Sequence, residues 1–203
     1  MTPGFSMRRM VFRRRYLHAV VATDPHEAAT RCINYWASRW RSTVVETPGM
    51  REQLALNGWV GTEIADGLDT MDGLFSTVTD AIARSDLFPQ SASQPGATAR
   101  YQTSRILIAA RPWSAEGRPA SEVWCFDTQV SQRNTPTTKE DIGQYLQDLA
   151  VTLQLDELLL AQPDLLFEGD LPKDHLFTGQ NVIAMRQAAK KESRRKPRRF
   201  SEN

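Results

Sequence analysis

Alternation of apolar and polar positions predicts a β-strand over residues 10–22. One face would carry Phe12, Arg14, Tyr16 and His18, and the other Arg13, Arg15, Leu17 and Ala19. A helix is expected directly afterwards, because Thr23 or Asp24 can cap it and Pro25 suits its first turn. Its apolar stripe, which would run as far as about Arg41, consists of Ala29, Cys32, Ile33, Trp36 and Trp40.

The most regular helical periodicity lies over residues 61–85. Apolar side chains recur there at steps of four and three, at Ile64, Leu68, Met71, Phe75, Val78 and Ile82. Carboxylates occupy the other faces. The pattern predicts an amphipathic helix, which either packs within the chain or forms a seam with a partner helix.

The second half of the chain predicts a hairpin and further helices. Strands are expected over residues 101–111 and 122–132, with a long mobile tip at Pro112–Ser121 that presents Trp113. Thr137 and its neighbours cap a helix whose apolar side is Ile142, Tyr145, Leu146, Leu149 and Leu153. The leucines of residues 155–160 either extend that helix or begin another. A last helix is expected over residues 179–191, together with a short strand at residues 43–46.

These elements predict an α+β fold, with an antiparallel sheet of three to five strands packed against amphipathic helices and a basic C-terminal tail. Residues 1–189 are expected to form a single domain and residues 190–203 the tail. A subdivision near residue 95 is left open, because Pro89–Gly96 has the composition of a flexible connector. Cys32 and Cys125 are expected to be buried free thiols. No apolar run approaches the roughly 20 residues of a membrane span. The first 23 residues are Arg-rich and contain no acid, as in a mitochondrial transit segment, but His18–Ala22 runs directly into a helix start and Leu17–Ala22 is too short for a secretory signal, so a cytoplasmic protein is predicted.

The charge pattern is more informative about function than the apolar pattern. The chain has 25 Lys and Arg against 24 Asp and Glu, but 12 of the basic residues lie at the two ends. Residues 16–185 contain 22 carboxylates and 12 Lys and Arg, a net charge of −10. Clustered cations attract polyanions at long range. The ends therefore predict an anionic partner, with an acidic protein, a membrane surface or a merely solvated tail as alternatives.

Nucleic acid is the partner that the side-chain types favour. Lysine and arginine displace the counterions of a phosphate backbone, and aromatic faces stack on exposed bases. The predicted contacts are Arg8, Arg9, Phe12, Arg13, Arg14, Arg15, Tyr16, Lys190, Lys191, Arg194, Arg195, Lys196, Arg198 and Arg199. The preferred hypothesis is a non-catalytic RNA- or DNA-binding subunit of a larger nucleoprotein assembly. The alternative is a protein-only adaptor that forms a homo-oligomer through helix 61–85.

Catalytic and cofactor motifs are weak in this sequence. His18 near the end of the first strand and His26 at the following helix start could lie together, which would allow metal-independent cleavage of RNA. Asp170, Asp174 and His175 could hold Mg²⁺, although a polar loop is the better explanation of these residues. No phosphate-binding glycine loop, dinucleotide fingerprint or zinc ligand set occurs. The sequence thus predicts no cofactor, no metal and no membrane contact.

Overall fold

The computed structural model describes residues 14–39, 44–65, 105–115, 118–128 and 136–195. Within these ranges the strands are β1 (Arg15–Val21), β2 (Val45–Glu46), β3 (Val60–Ala65), β4 (Arg105–Ala115), β5 (Arg118–Asp127) and β6 (Asp164–Phe167). The helices are α1 (Pro25–Arg39), α2 (Met50–Leu56), α3 (Pro136–Leu155) and α4 (Gly179–Arg195). A 3₁₀ turn, Glu168–Asp170, follows β6. The α+β class that the sequence predicts is confirmed.

The six strands form one sheet in the order β2-β3-β4-β5-β1-β6. Every neighbouring pair is antiparallel. The prediction of three to five strands was therefore low by at least one. Two strands were not predicted: β3, whose residues were assigned to a helix, and β6, whose four residues are too few to show a recognisable alternation.

Helices cover both faces of this sheet. On the first face, α1 and α3 pack on alternate residues of β1, β4 and β5, with Leu17, Ile108 and Cys125 among the buried contacts. On the second face, α2 and α4 cover Tyr16, Leu107 and Phe126. Alternation along β1 and β5 was thus predicted correctly, but both of their faces are buried.

Local sequence explains how α1 begins and how it is fixed. The Asp24 carboxylate accepts hydrogen bonds from the backbone N–H groups of His26 and Glu27, at 2.9 and 3.1 Å. This satisfies donors that a helix start otherwise leaves unpaired. Further along, the Trp36 indole donates to the sulfur of Cys125 at 3.1 Å. Cys32 and Cys125 are both buried and free, as predicted.

Part of the predicted helix over residues 61–85 is a strand instead. Val60–Ala65 is β3, which pairs along its whole length with β4, and the rest of that prediction lies outside the described residues. Glu63, which the pattern placed on a solvated face, is fully buried. Its carboxylate binds Arg186 of α4 and accepts a hydrogen bond from Thr128 at 2.5 Å. A partner 123 residues away cannot be inferred from local periodicity.

The tip of the hairpin also differs from its prediction. Pro112–Ala115 and Arg118–Ser121 pair as strands, so the described residues of the tip form a two-stranded arm instead of a long loop. The pairing of β3 with β4 ends at Ala110, and the pairing of β1 with β5 ends at Ser121. The arm therefore has no third strand beside it in the described ranges. Prolines are tolerated there because they interrupt no pairing with a third strand. Trp113 on this arm is 44% exposed, as predicted.

The remaining helices match their predictions with shifted ends. Helix α3 stops at Leu155, and α4 continues to Arg195, four residues beyond the predicted end. Helix α2 was not predicted, since seven residues show too little periodicity. Among the helices that the structure describes, none has the length and apolar character needed to cross a membrane.

Candidate functional site

Two residues predicted to bind nucleic acid have partners within the protein. The side chain of Arg14 is 5% exposed, and its Nη1 donates to Oε1 of Glu168 at 3.3 Å. Tyr16 is fully buried, and its hydroxyl donates to the carbonyl oxygen of Phe177 at 3.0 Å. Burial raises the pKa of Tyr16 to about 12. Both side chains therefore join β1 to the segment that follows β6.

The other predicted contacts have varied positions. Arg15 is half-buried, with its guanidinium carbon 5.8 Å from the centre of the Phe167 ring. Lys190 and Lys191 are exposed on α4, which also contains Arg194 and Arg195 in its last turn. The remaining seven residues lie outside the described part of the chain: Arg8, Arg9, Phe12, Arg13, Lys196, Arg198 and Arg199. Nucleic-acid binding by these basic segments stays a prediction.

Arginines of the folded body are largely paired with carboxylates of the same chain. In the ranges that the structure describes, six arginines lie within 4.0 Å of an Asp or Glu oxygen: Arg14, Arg31, Arg51, Arg105, Arg111 and Arg186. Such pairs lower the outward positive potential of the body. The pairing therefore leaves the basic ends as the more effective attractors of an anion.

A series of alternating charges crosses four neighbouring strands on the second face of the sheet. We call this the charge ladder; its members are Arg111 of β4, Glu122 of β5, His18 of β1 and Asp164 of β6. Nε of Arg111 lies 2.5 Å from Oε2 of Glu122. Nε2 of His18 lies 3.3 Å from Oε1 of Glu122, and its Nδ1 lies 3.2 Å from Oδ2 of Asp164. Strand register creates these contacts, because Arg111 faces Glu122 and His18 faces Asp164 directly.

Glu122 is the central acceptor of the charge ladder. Its side chain is 7% exposed and also accepts a hydrogen bond from the indole of Trp124 at 2.9 Å. Burial alone would raise the pKa of this carboxyl. The neighbouring His18 ring, together with hydrogen bonds from Trp124 and Arg111, outweighs burial and lowers the pKa of Glu122 to about 2. Glu122 is thus a fixed negative charge at neutral pH.

His18 lies between two carboxylates. Glu122 raises the pKa of His18 above 6.5, burial opposes that rise, and Asp164 adds to it. The buried Nε2 atom has no aligned hydrogen-bond acceptor within the described ranges, so its contact with Glu122 is an ion pair. The arrangement favours a positively charged imidazolium, which carries an N–H on both ring nitrogens.

His175 has the opposite tendency. Its ring centre lies 4.7 Å from that of Trp124, which in turn lies 4.6 Å from the ring of His18. Burial lowers the pKa of His175. Nδ1 of His175 accepts a hydrogen bond from the backbone N–H of Phe177 at 3.2 Å, so the neutral ring carries its proton on Nε2.

This geometry does not favour the acid–base chemistry that the sequence left open. Both ring nitrogens of His18 face carboxylates, and Nδ1 of His175 already accepts the hydrogen bond from the Phe177 backbone N–H. Neither ring therefore presents a basic nitrogen to a substrate hydroxyl. His26 lies in the first turn of α1, which packs on the opposite face of the sheet from His18. The pairing of His18 with His26 that catalysis requires is not formed.

Metal ligands are also poorly arranged in the described ranges. No group of three or more His, Cys, Asp or Glu side chains there could hold a metal ion. Asp170, a candidate for Mg²⁺, accepts a hydrogen bond from the Phe167 backbone N–H at 2.8 Å. Nδ1 of His175 accepts the hydrogen bond from the Phe177 backbone N–H. These residues stabilise the turn that connects β6 with α4.

A cleft of about 380 Å³ lies where α1, α2 and the start of β3 meet. Its walls are mostly apolar, and its polar lining comes from His26, Thr30 and Arg51. Arg51 is already bound to Glu46 at 2.6 Å. A specific small-molecule site normally combines an apolar cavity with polar groups that converge on the ligand. This cleft has the cavity but few such polar groups.

The best-defined polar cluster is therefore the charge ladder with Trp124 and His175. Sequence analysis named only His18 and His175 among its members. Arg111 and Glu122 face each other across a predicted hairpin, and this signal could have revealed their pairing. Asp164 could not be found in this way, because it lies on β6, which was not predicted. Comparisons with protein-family models, with curated proteins and with solved structures found no match to this chain.

Proposed function

We propose that this chain is a non-catalytic nucleic-acid-associated protein, a subunit of a larger nucleoprotein assembly that grips phosphate backbone with its basic ends. The observation that supports the proposal is the segregation of charge. Twelve of 25 basic side chains lie at the ends, and the region between them has a net charge of −10. Five arginines outside the two basic ends, Arg31, Arg51, Arg105, Arg111 and Arg186, are paired with carboxylates of the same chain, which favours the ends as the phosphate-binding segments.

The binding surface proposed here is smaller than the predicted set. Arg14 and Tyr16 serve the fold, as their contacts with Glu168 and Phe177 show. The proposed phosphate contacts are therefore Arg8, Arg9, Arg13, Arg15 and the basic residues from Lys190 to Arg199. Exposed lysines on α4 would continue directly into the last basic residues. Such an extended cationic segment contacts backbone without selecting a base sequence.

Co-purification provides the first test. We expect the purified protein to show a raised ratio of absorbance at 260 nm to that at 280 nm, which falls after a high-salt wash. Replacement of the seven Lys and Arg between residues 190 and 199 by Gln should lower this absorbance ratio even without the high-salt wash. A matched control replaces Arg31 and Arg51, which are exposed but internally paired, and should leave the ratio unchanged. An equal ratio in all three proteins would contradict the proposal.

A protein-only assembly is the second candidate function. The observation that favours it is the β4–β5 arm, where Trp113 is 44% exposed between exposed prolines. Exposed tryptophan is a frequent centre of binding energy at protein interfaces. Light scattering separates the two proposals, because a stable oligomer that nuclease treatment does not alter favours this one.

A further inference from the structure

We propose that His18 is a pH-sensitive clamp, which fastens edge strand β6 to the sheet while its ring is charged and loosens it when the ring is neutral. Strand β6 lies at the end of the sheet and contains four residues. Within the described ranges its pairing partner is β1. Backbone hydrogen bonds from Leu160 to Val20 and from Glu168 to Arg14 lie on either side of this pairing, so side-chain contacts add to a short backbone ladder.

His18 supplies such a contact at the first residue of β6. It faces Asp164 in the strand register, with 3.2 Å between Nδ1 and Oδ2. Its other ring nitrogen lies 3.3 Å from Glu122 on β5. Only the imidazolium has an N–H toward both carboxylates; a neutral ring must turn a lone pair toward one of them. Loss of the proton therefore converts one attraction into a repulsion.

The groups around His18 make it the member of the ladder whose charge changes near neutrality. Glu122 of β5 is a fixed anion, because its pKa is about 2, and Arg111 of β4 binds its far oxygen. Asp164 faces the ring from β6. His175, from the segment before α4, lies beyond Trp124 and is held toward its neutral form by burial. Asp174 beside it contributes a further negative charge.

The way in which pH changes the attachment of β6 follows from the preference of the fold for a charged His18. Because the folded protein raises the pKa of His18 above 6.5, the stabilisation is complete below that pH. It is lost as the pH rises through the raised value. Alkaline pH should therefore increase local opening of β6 without unfolding the rest of the sheet.

Hydrogen exchange of the backbone amides in β6 tests the clamp. We compare the full-length protein at about pH 5.5 and about pH 8.5, after correction for the intrinsic exchange rate, and expect protection of β6 to fall about twofold to fivefold. Asp164→Asn should reduce protection at the lower pH and largely abolish the pH effect. It should also lower the pKa of His18 measured by NMR. Asp156→Asn, a surface carboxylate paired with Arg31, is the control and should behave as wild type.

The outcomes separate a clamp from a passive contact. His18→Gln, which keeps a hydrogen-bond donor but cannot titrate, should make β6 protection independent of pH. If Asp164→Asn leaves both the His18 pKa and the pH response unaltered, the clamp is rejected. Equal protection of wild-type β6 at the two pH values would reject it as well, even if His18→Gln failed to fold.

Discussion

At the scale of single residues, three ionisable side chains of one cluster contribute to the response of stability to pH. The fold prefers His18 charged, His175 neutral and Glu122 charged. Each preference has a visible cause: two carboxylates around His18, burial of His175, and two hydrogen-bond donors together with the His18 ring around Glu122. Two histidines in a single cluster thus contribute to stability with opposite dependence on pH.

These opposite shifts predict that stability is greatest near pH 6.5. Above that pH His18 loses its preferred proton, and below it His175 gains an unfavourable one. As the pH falls from 4.5 toward 2, protonation of Glu122 adds a further loss. Urea unfolding across this range should give a maximum close to pH 6.5. In His18→Gln the decline on the alkaline side should be smaller, and an unchanged decline would contradict this assignment.

Sequence reasoning at this scale was limited by partners that are distant along the chain. The alternating faces of β1 followed from residues 10–22, but their burial on both sides did not. Arg14 looked like a phosphate contact because Glu168, 154 positions away, was not known to approach it. The same limitation concealed Glu63, whose buried charge is matched by Arg186. Long-range ion pairs leave no local periodicity to detect.

At the scale of elements, the assignment of Val60–Ala65 to β3 can be tested at one glycine. Gly61 has φ of 146°, and a Cβ there would collide with the carbonyl oxygen of Ile108. In a helix, Gly→Ala would stabilise by about 1 kcal/mol. In this strand we expect Gly61→Ala to destabilise by at least about 2 kcal/mol in urea unfolding.

Gly58 provides the control for that substitution. Its φ of 76° is unfavourable for alanine, but no atom lies within 4 Å of the Cβ position. Gly58→Ala should therefore cost only about 1 kcal/mol, which is the backbone contribution. If Gly61→Ala proved neutral or stabilising, the strand assignment and its register with β4 would be contradicted.

Elements with a cap and a long apolar stripe could be predicted from sequence, whereas short ones could not. Helices α1 and α3 were identified through their caps and stripes. Helix α2 and strand β6 span seven and four residues, and tertiary contacts decide their conformation. The hairpin arm was missed because prolines usually indicate turns. They fit a strand only where no third strand needs their N–H, and the sequence does not show that.

At the scale of the whole molecule, folding divides the charges into two groups. Arginines within the body bind carboxylates of the same chain, as in the pairs that Arg31 and Arg105 form. The basic ends lie outside or at the limit of the described ranges. The charge asymmetry could be computed from the sequence, but the internal pairing of the body required the fold. Together they restrict any phosphate contacts to fewer residues than the sequence alone indicated.

The most direct measurement of the central claim is the salt dependence of nucleic-acid affinity for wild type and for the Lys190–Arg199 variant with Gln at all seven basic positions. For wild type, contact with six to ten phosphates predicts a fall in affinity of about 10³- to 10⁵-fold between about 50 and 200 mM salt. The variant should bind weakly and with a clearly smaller slope. A flat response of the wild type, or identical slopes for both proteins, would contradict the account.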